Sequence, residues 1–347
     1  METAAAGALL AALDRFTVVP IDVGRYDTDT ETAAQALRAS SAQVARLADT
    51  GLPHVVDRER GPLFDYDDLM NVGMFCGTGQ TVPELGLRFL MRFAVSPPAS
   101  WYAPREWEIG VHPSTTAGGR REGTDDVGGP RITVRVPDLS APGVELLDGP
   151  GPAPGHGSGS GDDFTAPLRH SGYEAAVRLT GAENTVRDPR IHEVWNDVVD
   201  ALASRRVTYQ TVPEPLRADH RRAWDLGVAD CVVASRLLAD RLRAAGLEAT
   251  ARRGYLLGLF GSDHAWCDVV EDGVHKSLDP VFAFVATVGD ERGVAKAPDF
   301  AAACFGSRFN RLLPCRTDSA EPLVYFDGEP APYWAMVGVG ARPRRSS

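Results

Sequence analysis

Cys231, His264 and Asp279 follow one another within about 50 residues, and they are the three side-chain types that thiol-based acyl transfer uses. A thiol attacks a carbonyl carbon as thiolate. It therefore needs an imidazole to take its proton and a third polar group to fix that imidazole's tautomer and orientation. Taken singly, each residue has a blander explanation: a cysteine opening an apolar helix is most often a buried structural thiol, and a strand histidine a satisfied packing residue. Their joint spacing, each on suitable local structure, points to a site.

The elements that would position the three are legible from their flanks. After Gly227-Val228-Ala229-Asp230, Cys231 opens a stretch in which Ala234, Leu238, Leu242 and Ala245 recur at helical spacing, while Arg236, Asp240 and Arg243 share another face. Gly246 supplies the C-terminal stop. A cysteine in the first turn of that helix lies beside unpaired N–H groups at the positive end of the macrodipole, which favours the thiolate and could serve an oxyanion. Asp230 beside it acts on the thiol in the opposite sense.

Downstream, residues 247–257 read as a strand, 258–263 as a turn and 264–270 as a second strand. Glu271-Asp272-Gly273 closes a hairpin into a return strand that ends at Asp279-Pro280. His264 at the start of one strand and Asp279 at the end of its antiparallel neighbour come side by side. Trp266 shares the face of His264 and is expected to shield the imidazole. Trp224, seven residues before Cys231, is a candidate wall of the active site or indole donor to an oxyanion, with a packed aromatic as the alternative. Asp263 takes the other face and reads as a turn residue, and His275 as an exposed one.

Cys231 at a helix start, His264-Ala265-Trp266 in a strand and Asp279-Pro280 closing the next strand resemble the transglutaminase-like superfamily, whose core carries those motifs in that order. The resemblance covers about residues 195–290. Where the family often has Gly-x-Cys, this chain has Ala229-Asp230-Cys231. The resemblance implies an α+β fold: a transglutaminase-like (papain-like) core with the nucleophile helix packed on an antiparallel sheet, here joined to an N-terminal α/β module. It implies ping-pong acyl transfer through a thioester acyl-enzyme, with Cys231 as nucleophile, His264 as general base and acid, and Asp279 as orienting group. Members of the superfamily include amine-transferring cross-linkers, peptidases, deamidases and amide synthases of bacterial natural-product pathways.

An acidic chain without a secretion signal fits small-substrate members of the superfamily better than secreted cross-linkers, so amide-bond formation on a small or carrier-bound intermediate is the first expectation. A cysteine peptidase or amidase is the alternative, and a catalytically silent binding module a third. The acyl donor would be a thioester, amide or peptide, free or presented on a carrier protein, and the acceptor an amine or water. No metal or organic cofactor is expected.

Composition bounds the rest. A chain of 347 residues, 44% hydrophobic and 24% charged, reads as a soluble globular protein long enough for two domains. Its net charge of -11 and pI near 5.2 argue against a nucleic-acid surface. No apolar run reaches membrane-spanning length. The Ala-rich residues 3–13 follow Glu2 without a basic segment and read as a short helix, not a signal peptide. Five cysteines without a CxxC pair fit a reducing cytoplasm better than a disulfide framework or zinc site.

Along the chain, composition suggests an N-terminal α/β module over residues 1–140, a flexible Gly/Pro/Ser-rich linker over 141–165, the catalytic domain over 166–335 and a tail over 336–347, disordered from Arg342 to Ser347. Within the module one helix is expected over 30–49, another over 83–93 and a strand over 131–136. Asp65-Tyr66-Asp67-Asp68 reads as a helix cap in preference to a metal site. The module either lines a donor or acceptor groove or completes the packing of the core. Patterning between 282 and 315 is mixed, with a helix closing near Cys304 and a last strand over 323–326.

Overall fold

The computed structural model describes residues 2–113, 131–152, 158–160, 163–167, 173–258, 262–288, 295–316, 318–331 and 337–343, in a mixture of α-helices and β-sheets. The chain divides into two compact units that interleave along the sequence. One comprises Met1–Val95, Trp195–Leu237 and Pro280–Ala302; the other comprises Ser96–Val194, Leu238–Asp279 and Ala303–Ser347. The expected linear order of module, linker and catalytic domain differs from this division, since residues 1–140 contribute to both units.

In the first unit, helices Glu2–Ala11, Thr30–Leu37, Ser41–Thr50 and Tyr66–Phe75 bury an apolar core that includes Leu37, Val44, Leu47, Phe64, Leu69 and Val72. The single helix expected over 30–49 is thus two. Arg38, at a left-handed φ of 48°, closes the first. Ser40 opens the second with a capping box, its hydroxyl accepting from Gln43 N–H while the Gln43 side chain accepts from Ser40 N–H. Apolar spacing continues across the break, so periodicity alone hides it.

Asp65 caps the helix Tyr66–Phe75 by accepting from Asp68 N–H, the cap its sequence position suggested. Thr81 and Glu84 form a second capping box at the start of Val82–Ala94. A short antiparallel sheet orders Tyr26–Thr28, Gly61–Asp65 and His54–Asp57. Farther along, Thr208–Tyr209 pairs in parallel with Val228–Ala229 just before Asp230 and Cys231. Pro280–Thr287 is a helix buried from Pro280 to Ala286. With no polar face it shows no 3.6-residue alternation, which is why the sequence pattern did not reveal it.

Among the described residues the second unit contains three sheets. One runs in the order Phe305–Gly306, Val274–Leu278, Ser262–Glu271, Ala249–Leu256, Leu312–Pro314, antiparallel throughout. Its central hairpin turns at Asp272 and Gly273, with φ of 53° and 74°, the paired positive values that match the twist of the flanking strands. Asp263, expected in a turn, lies within the strand Ser262–Glu271. On the sheet face opposite His264, its two carboxylate oxygens sit 2.9 and 3.0 Å from Arg253 Nε. Arg253 is only 1% exposed, while Asp263 is half-buried, so the guanidinium end of this ion pair belongs to the interior.

The other two sheets share a core containing Trp107, Ile109, Ile132, Val134, Phe164 and Val177. One orders Val337–Pro343, Arg105–Pro113, Tyr173–Leu179 and Val144–Pro152; the other orders Glu329–Pro330, Val324–Phe326, Arg131–Arg135, Asp163–Pro167 and Ser158–Ser160. The stretch 141–165, expected as a linker, therefore supplies three strands. Its first strand pairs with Tyr173–Leu179 through two register shifts, at Leu146/Asp148 and Asp148/Gly151, and such bulges let a Gly-rich strand keep its partner. Val337–Pro343, expected in the C-terminal tail, pairs with Arg105–Pro113. Residues 153–157, 161–162, 336 and 344–347 of those two stretches lie outside the described residues.

Candidate active site

Cys231 is the first residue of the helix Cys231–Ala244. Asp230 starts that helix. Its Oδ1 accepts from Val233 N–H at 2.9 Å and its backbone carbonyl from Ala234 N–H at 3.0 Å, the geometry of a side-chain cap. Its Oδ2 lies 2.5 Å from Arg217 Nε, and Arg217 in turn reaches Glu214 at 2.6 Å. The acidic group beside Cys231 is thus held by a helix terminus and a guanidinium, which offset its charge.

Among the five cysteines Cys231 is half-buried and the other four are buried. Burial pushes the thiols of Cys76, Cys267, Cys304 and Cys315 up. That leaves them as packing groups and Cys231 as the thiol with solvent access.

His264 and Asp279 are both buried, at 5% and 2% exposure, and His264 Nε2 stands 2.6 Å from Asp279 Oδ2. The hairpin ladder ends with Cys267 opposite Leu278. One step further, Asp279 falls opposite Trp266 and diagonal to His264, within reach of a side-chain contact on the same face. Asp279 N–H donates to the Cys304 carbonyl at 2.9 Å, fixing the backbone where the chain leaves the strand. With Nε2 engaged by the carboxylate, Nδ1 is the imidazole nitrogen that can trade a proton with a thiol.

Trp266, 2% exposed, lies near-parallel to the His264 ring with centroids 6.3 Å apart. Its indole N–H donates to Asp268 Oδ1 at 3.2 Å. The same carboxylate accepts from Ser277 Oγ at 2.8 Å and Arg252 Nε at 3.2 Å. His264, Trp266 and Asp268 thus form a row along one face of a strand, and Asp268 is the member that reading the sequence missed. Its signal was the alternation 264, 266, 268, joined to a register that sets Ser277 opposite Asp268 and Arg252 opposite Trp266.

Trp224 lies half-buried on the helix His220–Asp225, after which Gly227, at φ 78°, turns the chain into Val228–Ala229. Cys231 and Trp224 belong to the first unit; His264, Trp266 and Asp279 belong to the second. His275 is exposed, as expected. Among the described residues no group of three or more His, Cys, Asp or Glu is arranged to hold a metal ion. No helix among them is long and apolar enough to cross a membrane.

No protein-family model matches the chain, and no curated protein matches it. Solved structures similar to it include a candidate cysteine protease from Cytophaga hutchinsonii, 11% identical with a TM-score of 0.37, over 71% of this chain and 92% of that one. A TGase is 16% identical with a TM-score of 0.21, over 47% of this chain and 53% of its own. A candidate protease from Parabacteroides distasonis is 11% identical with a TM-score of 0.23, over 52% of this chain and 43% of its own. The chain therefore spans about half the length of the latter two.

Proposed function

We propose that this chain is a Cys-dependent acyl-transfer enzyme with Cys231 as nucleophile, His264 as proton carrier and Asp279 as the group that orients His264. The observation that carries the proposal is the 2.6 Å contact between the buried His264 Nε2 and Asp279 Oδ2. Its complement is the half-buried cysteine opening a capped helix.

In the proposed cycle His264 Nδ1 takes the thiol proton, and the Cys231 sulfur adds to the carbonyl carbon of a thioester or amide. Backbone N–H groups at the start of the helix Cys231–Ala244 receive the oxyanion, and the imidazolium returns its proton to the departing thiol or amine. The carboxylate of Asp279 keeps the proton on Nε2 and offsets the imidazolium charge. Trp224 and Trp266 would wall the reacting carbonyl.

An amine that resolves the acyl-enzyme makes the chain an amide synthase acting on a small or carrier-bound acyl intermediate, which is the reading we favour. Water in the same place would make it a peptidase or amidase. Intact-protein mass spectrometry after incubation with acyl thioesters and with peptides tests both, with Cys231→Ala as control. An adduct on Cys231 released faster by amine than by water is the expected result. Release by water alone gives the hydrolase, and no adduct from any acyl donor overturns the proposal.

A further inference from the structure

Three helices end, within the first unit, at one cavity of about 70 Å³. Arg15 closes the 3₁₀ helix Ala12–Arg15, Phe75 closes Tyr66–Phe75, and Ala203 closes Pro189–Ala203. Tyr209 and Phe284 add two more rings to the wall, with centroids 6.0 Å apart and planes crossing at 66°. Phe75, Leu202 and Phe284 are buried, whereas Arg15 and Arg205 are exposed. The cavity therefore runs from a cationic mouth to an apolar floor, and among the described residues no carboxylate lines it.

Two polar side chains on that wall keep hydrogen-bonding capacity for a ligand. Arg15 makes one hydrogen bond among the described residues, from Nη1 to the Phe75 carbonyl at 2.6 Å, and its Cζ stands 5.7 Å from the Phe75 ring centroid. No ion pair engages it there. Thr208 is half-buried, its N–H donates to the Gly227 carbonyl at 2.8 Å, and its hydroxyl has no hydrogen-bond partner among the described residues. The three helix ends carry partial negative charge, but that charge is confined to the last turn, and Arg15 already takes up the Phe75 carbonyl. The full charges of the two guanidiniums accordingly set the sign at the mouth. A guanidinium and a hydroxyl together offer donors for both oxygens of one carboxylate.

We propose that this cavity binds a short-chain monocarboxylate, its head group on Arg15 and Thr208 and its chain against Phe75, Tyr209 and Phe284. The few polar groups at the mouth would fix the head while the apolar floor selects the tail. Size limits the tail: an apolar cavity of about 150 Å³ takes a benzene ring, so one of about 70 Å³ takes a chain of roughly three or four carbons and excludes a ring. None of Cys231, His264 and Asp279 lines the cavity, and the site does not rest on the acyl-transfer reading.

Ligand-observed NMR titration of the full-length chain with butyrate, at constant ionic strength, tests the site. Saturable binding at one site is expected, with a dissociation constant of about 1 mM or tighter. Acetate, two methylenes shorter, should bind about tenfold more weakly, and so should butyramide and butylammonium, which lack the charge that Arg15 would meet. Arg15→Gln should weaken butyrate about tenfold, and the isosteric Thr208→Val about threefold to fivefold.

The absence of saturable binding overturns the site, as does butylammonium or butyramide binding as tightly as butyrate. Butyrate affinity unmoved by both substitutions, in variants that match the parent's circular dichroism and melting temperature, overturns it too. Should either variant fail that match, the comparison of butyrate, butyramide and butylammonium on the parent chain decides.

Discussion

Asp279 meets His264 on the diagonal of the hairpin and not straight across it: Oδ2 lies 2.6 Å from Nε2, while the ladder places Asp279 beyond the pair Cys267–Leu278, opposite Trp266. Diagonal neighbours on a sheet are roughly 7–8 Å apart between backbones, a span that an aspartate and an imidazole together close. A slip of one residue would send Asp279 to the other face. The contact is therefore as sensitive to the turn at Asp272 and Gly273 as to its own two side chains.

The first prediction tests that contact. Asp279→Asn can donate to Nε2 and so favours the wrong tautomer, and kcat should fall by about 10³–10⁴ with the fold intact. Single-turnover acylation of Cys231 reads the effect. A variant that acylates at the parental rate would remove Asp279 from the mechanism.

Asp268 should act on the reaction through Trp266. Its carboxylate gathers the Trp266 indole, Ser277 and Arg252, so Asp268→Asn weakens the hold on the ring beside His264. We expect kcat to drop about fivefold to tenfold, some 1–1.4 kcal/mol, with KM unchanged. The limb of the pH–rate profile that reports the histidine should shift with it. In a Trp266→Phe background the substitution should have no further effect on kcat, and an undiminished effect there would show a purely structural role.

Asp230→Ala removes the cap of the helix Cys231–Ala244 and one carboxylate partner of Arg217. The cap should cost about 1–2 kcal/mol in urea unfolding, with a further loss from the Arg217 pair, whose partners are 6% and 16% exposed. Asp230→Asn keeps an acceptor for Val233 N–H and should cost less. Equal losses in the two variants would place the stabilisation entirely in the ion pair.

Stability should depend on pH through Asp68. This side chain is fully buried, its Oδ1 accepts from Val19 N–H at 3.4 Å, and its Oδ2 has no hydrogen-bond partner among the described residues. Burial and the neighbouring Asp65 push its carboxyl up to about 8. The folded chain then holds a proton that the unfolded chain releases from about pH 4 upward. Stability accordingly falls as pH rises from about 4 to 8, by at most ~1.4 kcal/mol per pH unit for this group, and levels off above. Denaturant unfolding of the parent and of Asp68→Asn at several pH values checks this, the difference between them shrinking toward low pH. A pH-independent difference would show that the carboxylate is ionised throughout.

Much of the candidate site was legible because local rules govern it. Cys231 stands where apolar spacing begins, and His264 and Asp279 sit on strands bounded by a Glu271-Asp272-Gly273 turn that sequence alone identifies. What escaped depends on register or on chemistry across the chain. The Asp268 row and the Arg253–Asp263 pair exist only once two strands are aligned. The strand Val144–Pro152 carries glycines and prolines that argue locally for a linker, and its ladder partner overrides them. Arg38-Ala39-Ser40 splits a helix whose apolar spacing runs on uninterrupted, and there the Ser40-x-x-Gln43 signature was the available sign.

Four of the five cysteine thiols are walled in, and this shapes how the molecule meets damage. Among the thiols, electrophiles find one half-buried address, so poisoning by thiol reagents would track the fate of one atom while the scaffold stays folded. Sensitivity to oxidants then becomes a property of the chemistry at that address, separable from thermal robustness.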